Sequence, residues 1–251
     1  MGQIHLTLQY DGSNFSGFEL QPGQRTIRGE LEKALTKIYN QKISIVSAAR
    51  TDAGVHALEN VVSFKSKSKI PFANIPIALN GVLPSTIRII KAEKNSGHVR
   101  HDAKSKLYEY LIFNGDNLPP QLNHLVWQVK PKLNLSAMKK AAKYLVGRHD
   151  FSSFCAAHSD DKDFIKEIQQ LVISHSSLVI WAGVKYQMIS VRVTGNGFLY
   201  KMVRNIVGTL VYVGLGKLTA TDVKKILEAK NRKKAGMTAP AEGLCLVKIS
   251  Y

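Results

Sequence analysis

Residues 47–57 read SAARTDAGVHA and lie between two segments that have the alternating pattern of β-strands. Arg50, Asp52 and His56 stand there among small residues, which let a ligand approach the backbone closely. Arg50 beside Asp52 is expected to keep that carboxylate ionised, as a nucleophile requires. A purely structural turn, in which Asp52 binds backbone amides and pairs with Arg50, fits the same spacing. The spacing alone leaves both interpretations open.

Strands and helices mix on both sides of this segment. Hydrophobic alternation predicts strands at 4–10, 43–47, 60–64, 87–92, 108–114, 169–174, 178–182, 186–194 and 244–249. Helical spacing predicts helices at 26–39, 72–79, 136–147 and 198–213. Ser136 is the expected N-cap of the third of these helices. A fifth helix is predicted to end at Ala229, with Thr219 and Asp222 as a capping pair at its start. There is no strict βαβ rhythm, which favours an α+β fold with a largely antiparallel sheet. A boundary at 103–105 predicts an N-terminal half, 1–104, and a C-terminal half, 105–251.

Composition excludes several classes of protein. Of the 251 residues 45% are hydrophobic and 21% are charged, which is typical of a globular chain and not of a disordered one. The longest apolar run, around 202–215, contains Arg204 and Asn205 and is too short to span a bilayer. The first ten residues lack the pattern of a secretory signal, and only Cys155 and Cys245 are cysteines. We therefore expect a cytoplasmic protein without a membrane association.

The charge balance points to a polyanionic partner. Lys and Arg number 35 against 18 Asp and Glu, a formal net charge of +17. Positive side chains of this excess commonly contact phosphates, so a nucleic acid is the expected partner. Three basic clusters could supply the contacts: Lys65, Lys67 and Lys69 after a strand; Lys230, Arg232, Lys233 and Lys234 after a helix; and Lys139, Lys140 and Lys143 on one helix.

Neither a metal nor a nucleotide cofactor is indicated. The closest pairs of potential metal ligands, His98 with His101 and Cys155 with His158, have no second pair at a suitable spacing. The glycine pairs at 195–197 and 214–216 lack the lysine or third glycine of a phosphate-binding loop. We predict no metal and no cofactor.

The segment at 47–57 resembles the signature of the tRNA pseudouridine synthase A family, and further motifs extend the resemblance along the whole chain. Two departures are Ala49, where the family has Gly, and Lys166, where it often has Arg. The other matching motifs, in order, are Tyr10-Asp11-Gly12 with Phe18, Leu83-Pro84, His98-Val99-Arg100, Tyr108-Glu109-Tyr110, 150–154, 202–208 and 238–244.

The resemblance implies a pseudouridine synthase fold, in which two related α/β halves are joined by a largely antiparallel mixed sheet with a central cleft. It makes Asp52 the essential carboxylate and nucleophile, and pairs Arg204 with it. It implies that Tyr108 stacks on the target base, that Leu244 lines the pocket, and that Arg50 fills the space left when the uridine flips out. Lys65, Lys67, Lys69, Arg232 and Lys233 are the candidate RNA contacts.

The implied activity is the isomerisation of uridine to pseudouridine at positions 38, 39 and 40 in the anticodon stem-loop of tRNA, without a cofactor. The family also works as a homodimer. Two other classes of function compete: a basic RNA-binding module without catalysis, and a glycosidase that cleaves the same bond and releases the base. The isomerase keeps the mass of the RNA unchanged, whereas the glycosidase leaves an abasic site.

Overall fold

The computed structural model describes residues 3–66, 70–157, 159, 161–179 and 183–251. These residues form ten strands and five α-helices. In chain order they are β1 (Gln3–Tyr10), α1 (Ile27–Tyr39), β2 (Val46–Ser47), β3 (His56–Lys65), α2 (Asn74–Asn80), β4 (Ile87–Lys94), β5 (Ser105–Phe113), β6 (Trp127–Gln128), α3 (Leu135–Ala142), β7 (Gly147–Asp150), β8 (Ile165–Val179), β9 (Lys185–Gly195), α4 (Met202–Gly214), α5 (Ala220–Glu228) and β10 (Leu244–Ser250).

The chain divides into two compact units. The first contains Met1–Lys104 together with Cys245–Tyr251, and the second contains Ser105–Leu244. The division after Lys104 falls where the sequence predicts a boundary. The C-terminal strand, by contrast, lies with the first unit, although the sequence analysis placed 105–251 in one half. Among the described residues, each helix is too short or too polar to span a bilayer.

The first unit contains a sheet in the strand order β4-β1-β3-β10, with β2 also paired to β3. Its neighbours are antiparallel except for β3 and β10, which are parallel, with Cys245 opposite His56 and Leu246 opposite Ala57. Helix α1 begins after Thr26, whose hydroxyl accepts a hydrogen bond from the Gly29 amide. The helix contributes a continuous apolar face to the core: Ile27, Leu31, Ala34, Leu35 and Tyr39.

The second unit contains the strand order β5-β9-β8-β7, with β6 in parallel beside β5 and the other neighbours antiparallel. Helix α3 contacts α4, α5 and β8. Eleven of the thirteen residues of α4 are buried, so this helix lies inside the unit and exposes little apolar surface. The predicted α+β class with a largely antiparallel sheet is confirmed in each unit.

Several predicted elements differ from the observed ones at their ends. The N-cap of α3 is Asn134, whose side chain accepts a hydrogen bond from the Ala137 amide at 3.0 Å, so the prediction of Ser136 is wrong. Helix α4 begins at Met202 and not at Phe198, because Lys201 has a φ of 57°, which an α-helix cannot contain. Segment 43–47 is a strand only at Val46–Ser47.

Two further predictions concern the second unit. The predicted capping pair of α5 is confirmed, since Thr219 and Asp222 each bond the other's backbone amide. The two strands predicted at 169–174 and 178–182 form one strand, β8, which alternates in burial along most of its length. Residues 180–182 lie outside the described part of the chain.

Candidate active site

The loop that carries Asp52 follows β2 and leads directly into β3. Its first residues, Ala48 and Ala49, are buried, and the Ala48 amide donates to the Val61 carbonyl at 2.8 Å. The Asn60 side chain donates to the Ala49 carbonyl at 3.0 Å. The backbone at the start of the loop is therefore fixed by hydrogen bonds to β3.

Thr51, next to Asp52, is held from inside the core. The Tyr10 hydroxyl lies 2.8 Å from the Thr51 hydroxyl and accepts a hydrogen bond from the Asn60 amide at 3.1 Å. Either of the two hydroxyls can be the donor in the contact between Tyr10 and Thr51. Burial raises the pKa of Tyr10 above its usual value, so the phenol stays protonated and keeps this bond near neutral pH. The three side chains position the residue that precedes the carboxylate.

Two glycines let the preceding segment, residues 12–18, press against the Asp52 loop. Gly17 has a φ of +94°, and a Cβ there would lie 3.1–3.3 Å from backbone atoms of Thr51, Asp52 and Ala53. A Cβ on Gly12 would lie 2.1 Å from the Val55 carbonyl oxygen. The close approach of the two backbones requires glycine at both positions.

The turn itself spans Asp52 to Val55. The Val55 amide donates to the Asp52 carbonyl at 3.1 Å, and Gly54 supplies the positive φ of 79° that the turn requires. The Phe18 amide donates to the Thr51 carbonyl at 3.0 Å, on the other side of Asp52. With both neighbours fixed, the half-buried Asp52 side chain projects from a rigid backbone, as a positioned carboxylate requires.

His56 ties the end of this loop to the turn after β1. Its Nδ1 lies 3.3 Å from Asp11 Oδ1 and accepts a hydrogen bond from the Gly12 amide at 3.3 Å. Its Nε2 is buried without a hydrogen-bond partner among the described residues. His56 thus connects the end of the Asp52 loop to the turn after β1, within the first unit.

Arg50 has a largely exposed side chain that contacts Glu19. Its Nε lies 3.1 Å from Glu19 Oε1, and 59% of its side chain is exposed. The ion pair that the structure describes for Arg50 is therefore with Glu19, and not the pair with Asp52 that the spacing left open as one interpretation. Glu19 also binds Arg28, with Oε2 2.8 Å from Nη1.

In the second unit, Tyr108 lies in the middle of β5 opposite Val193 of β9. The ring is buried and meets Phe198 edge-to-face, with the centroids 5.3 Å apart at 88°. This edge-to-face contact restricts the plane of the Tyr108 ring. A base that stacks on Tyr108 would find a surface of defined orientation.

Arg204 is the third residue of α4, and a backbone segment crosses it. Its Nε donates to the Ala239 carbonyl at 2.8 Å, and the Ala239 amide donates to the Arg204 carbonyl at 3.1 Å. The segment continues past Pro240, whose carbonyl accepts from the Tyr110 hydroxyl at 2.8 Å, to the buried Leu244. Residues 239–244 thus connect Arg204, the strand that carries Tyr108, and Leu244 within this unit.

The candidate RNA contacts differ in what surrounds them. Lys65 is exposed at the end of β3, and Lys233 is exposed in a 3-10 turn, Arg232–Lys234. Lys67 and Lys69 lie outside the described residues. Arg232 is partly buried and donates hydrogen bonds within its own unit, to the Gly236 carbonyl, Asn205 Oδ1 and the Thr238 hydroxyl at 2.9–3.0 Å. Its guanidinium has a structural role, which the sequence analysis missed.

Sequence reasoning also assigned no role to Glu19, Asn60 or Gly17. The role of Gly17 could have been predicted, since an isolated glycine often indicates a close approach of two backbones. Glu19 and Asn60 are polar residues in otherwise ordinary segments, and their partners are distant in sequence. In the described ranges there is no group of three or more His, Cys, Asp or Glu side chains that could hold a metal ion.

Comparison with known proteins supports one assignment over the whole chain. A family model described as tRNA pseudouridine synthase matches residues 7–102 and 141–251, which include all the candidate site residues except Tyr108. The chain is 42% identical to tRNA pseudouridine synthase A of Thermoanaerobacter sp. (strain X514) over 253 residues, which cover 100% of both chains. It is 40% identical to tRNA pseudouridine synthase A of Bacillus subtilis (strain 168), covering 99% of both.

Similarity to solved structures is lower. The archaeal box H/ACA sRNP Nop10-Cbf5 complex contains a chain that aligns with 94% of this chain and 61% of its own length. The identity is 11% and the TM-score is 0.33, so this match adds nothing to the assignment.

Proposed function

Because the chain belongs to the tRNA pseudouridine synthase family, we propose that it isomerises uridine to pseudouridine in the anticodon stem-loop of tRNA, at positions 38–40, with Asp52 as the essential carboxylate. The reaction breaks the bond between C1′ of the ribose and N1 of uracil, rotates the base, and joins C5 to C1′. The proton on C5 is lost and N1 gains one, so the reaction is redox-neutral and needs no co-reactant.

The observation that carries the proposal is the Asp52 loop. Its sequence matches the family signature, and contacts of Thr51, Gly17 and Val55 fix its backbone before and after Asp52. Three chemical routes use such a group: attack on C1′, attack on the base, and proton abstraction that leads to a glycal. Each requires an ionised carboxylate held beside a desolvated nucleotide.

The remaining roles are those that the resemblance to the family implies. Tyr108 offers a ring of fixed plane for stacking on the uracil, and its hydroxyl is the candidate for the proton transfer from C5. Arg204 supplies a guanidinium that balances the negative charge on the departing uracil. Leu244 is the apolar wall of the pocket. Arg50 takes the space of the flipped nucleotide.

Flipping a uridine out of a stem costs a few kcal/mol of lost stacking and pairing. The net charge of +17 supplies phosphate contacts that offset this cost. Because three different positions are modified, recognition of the shape of the tRNA is expected to dominate over recognition of its sequence. As in the family, we propose that the protein acts as a homodimer in the cytoplasm.

The test is tritium release from tRNA that carries 5-tritiated uridine, with the wild-type protein and Asp52→Asn compared side by side. We expect release by the wild type without free uracil, and no release by Asp52→Asn, because the amide cannot act as a nucleophile or base. Binding of tRNA by the variant should stay near that of the wild type, since the substitution preserves shape.

Each other outcome contradicts a part of the proposal. Turnover by Asp52→Asn would remove the essential role of this carboxylate. Free uracil and an abasic site would indicate a glycosidase. Binding of unmodified tRNA without any release by the wild type would indicate a non-catalytic RNA-binding protein.

A further inference from the structure

Glu19 connects two arginines in the first unit. One carboxylate oxygen lies 2.8 Å from Arg28 Nη1, and the other lies 3.1 Å from Arg50 Nε. Arg28 is itself held by Glu32, with Nε 2.8 Å from Oε1, and donates to the Ser44 hydroxyl at 3.0 Å. Glu19 is therefore anchored through Arg28 to helix α1, while its second oxygen holds Arg50.

The ion pair constrains Arg50 at the base of its guanidinium. Nε, the atom next to the aliphatic stem, faces Glu19, and this is the ion pair that the structure describes for Arg50. The two terminal nitrogens lie beyond this contact, on a side chain that is 59% exposed. The side chain thus has a restricted direction and still presents N–H groups to a ligand, as the fork geometry of Arg allows.

Electrostatics supports the same arrangement. The pKa of the Arg100 guanidinium is lowered, mainly by burial and further by the positive charge of Arg50. The charge of Arg28 lowers the pKa of Arg100 further, whereas the charge of Glu19 raises it. Glu19 thus provides the negative charge in a cluster of three arginines and contacts two of them.

We propose that Glu19 is a positioning residue for Arg50: by holding Nε, it keeps the guanidinium directed for insertion into the tRNA stem when the uridine flips. The inference rests on the proposed function, because it concerns the step that Arg50 performs there. It assigns Glu19 no contact with the substrate. Its effect on the reaction passes entirely through Arg50.

The experiment compares Glu19→Gln, Arg50→Gln, the double variant, and Glu30→Gln as a matched control. Glu30 lies in α1 and pairs with Arg25 at 2.8 Å, and its side chain is about as exposed as that of Glu19, at 24% against 29%. Glu30→Gln removes an acid that pairs with Arg25, whereas Glu19→Gln removes the acid that pairs with both Arg28 and Arg50, so only the second variant affects Arg50 directly. Single-turnover tritium release gives the rate of the step after binding, and filter binding gives the tRNA affinity.

We expect Glu19→Gln to lower the single-turnover rate roughly tenfold or more, because a misdirected group reduces the population of reactive complexes. Its tRNA affinity should be unchanged or higher, since a negative charge is removed from an RNA-binding protein. In the Arg50→Gln background, Glu19→Gln should have no further effect on the rate. Glu30→Gln should match the wild type. A stem-loop with 2-aminopurine beside the target uridine should show slower unstacking with Glu19→Gln.

An equal loss of rate from Glu19→Gln in the wild-type and Arg50→Gln backgrounds would overturn the inference, because it would indicate general destabilisation. A rate for Glu19→Gln equal to that of the wild type would overturn it as well, and would leave the proposed function intact. Absence of tritium release by the wild type would overturn the proposed function and the inference together.

Discussion

Arg232 illustrates how a basic residue in a basic cluster is used for structure. Asn205 is fully buried, and its side-chain oxygen accepts from Arg232 and from the Thr238 hydroxyl, while its amide donates to the Phe154 carbonyl. Burial also lowers the pKa of the Arg232 guanidinium. The neighbouring Lys233 is exposed. The two residues that the sequence placed together as RNA contacts thus have different environments.

We expect Arg232→Gln to lower the free energy of unfolding by about 2 kcal/mol, because it leaves buried acceptors without their charged donor. Lys233→Gln is the control, with a change within about 0.5 kcal/mol, as for most surface substitutions. Urea denaturation followed by circular dichroism measures both. Equal stability of the two variants would show that the hydrogen bonds of Arg232 contribute nothing net.

At this scale the sequence predicts the position of the Asp52 loop better than the contacts of its side chains. The motif places Asp52 in a constrained loop between two strands, and the loop is there. The motif also suggested that Arg50 pairs with its near neighbour Asp52, but the structure pairs Arg50 with Glu19. Sequence proximity was a poor guide because the turn at 52–55 redirects the chain, and the competing carboxylate comes from a distant segment.

At the scale of the element, α4 requires glycine where another backbone crosses it. A Cβ on Gly208 would lie 1.8 Å from the Met237 carbonyl oxygen, and one on Gly236 would lie 2.7 Å from the Thr209 Cα. The crossing leads directly to the hydrogen bonds between Ala239 and Arg204. Close packing of the two backbones therefore supports the position of Arg204.

We expect Gly208→Ala to destabilise the protein by about 3 kcal/mol and to reduce activity, because the added methyl group must push the crossing backbone away from α4. Gly197→Ala is the control, since the nearest atom to its Cβ, Lys166 Cδ, is 4.0 Å away. Thermal unfolding and tritium release measure the two effects. A Gly208→Ala variant as stable as Gly197→Ala would mean that the crossing segment adapts without cost.

The elements show where sequence patterns succeed and where they fail. The helical spacing of α1 and the capping pair of α5 are local signals, and both are confirmed. The start of α4 was predicted too early, because the apolar residues from Phe198 onward continue the pattern while the backbone at Lys201 leaves the helical region. The spacing of apolar residues indicates which residues are buried, but it does not locate the end of a helix, because residues just outside the helix can be buried as well.

At the scale of the whole molecule, the net charge of +17 favours binding of a polyanion such as tRNA. Lys65 is exposed at the end of β3, where Lys67 and Lys69 follow it in the sequence. Several other lysines have acidic partners: Lys91 lies 2.6 Å from Glu93, Lys224 3.8 Å from Glu228, and Lys225 3.2 Å from Asp222. Within the described part of the chain, Lys65 has no such acidic partner and is the better candidate for a phosphate contact.

Replacing Lys65, Lys67 and Lys69 with Gln should weaken tRNA binding and reduce the slope of log affinity against log salt by about one for each of these lysines that binds a phosphate. Replacing Lys91, Lys224 and Lys225 removes the same net charge from paired positions and should change the slope less. Filter binding over a series of salt concentrations measures both. Equal slopes in the two triple variants would place the RNA-binding surface elsewhere.

The parallel strand β10 has a consequence for the order in which the protein is made. Ribosomes synthesise residues 1–104 long before Cys245–Tyr251, yet both belong to the first unit. Until the last strand emerges, the edge of β3 at His56 and Ala57 has no neighbour there, directly after the Asp52 loop. An open edge of this kind attracts other strands. The nascent chain thus carries the Asp52 loop beside an unprotected edge, and acquires a complete first unit only after the second has been translated.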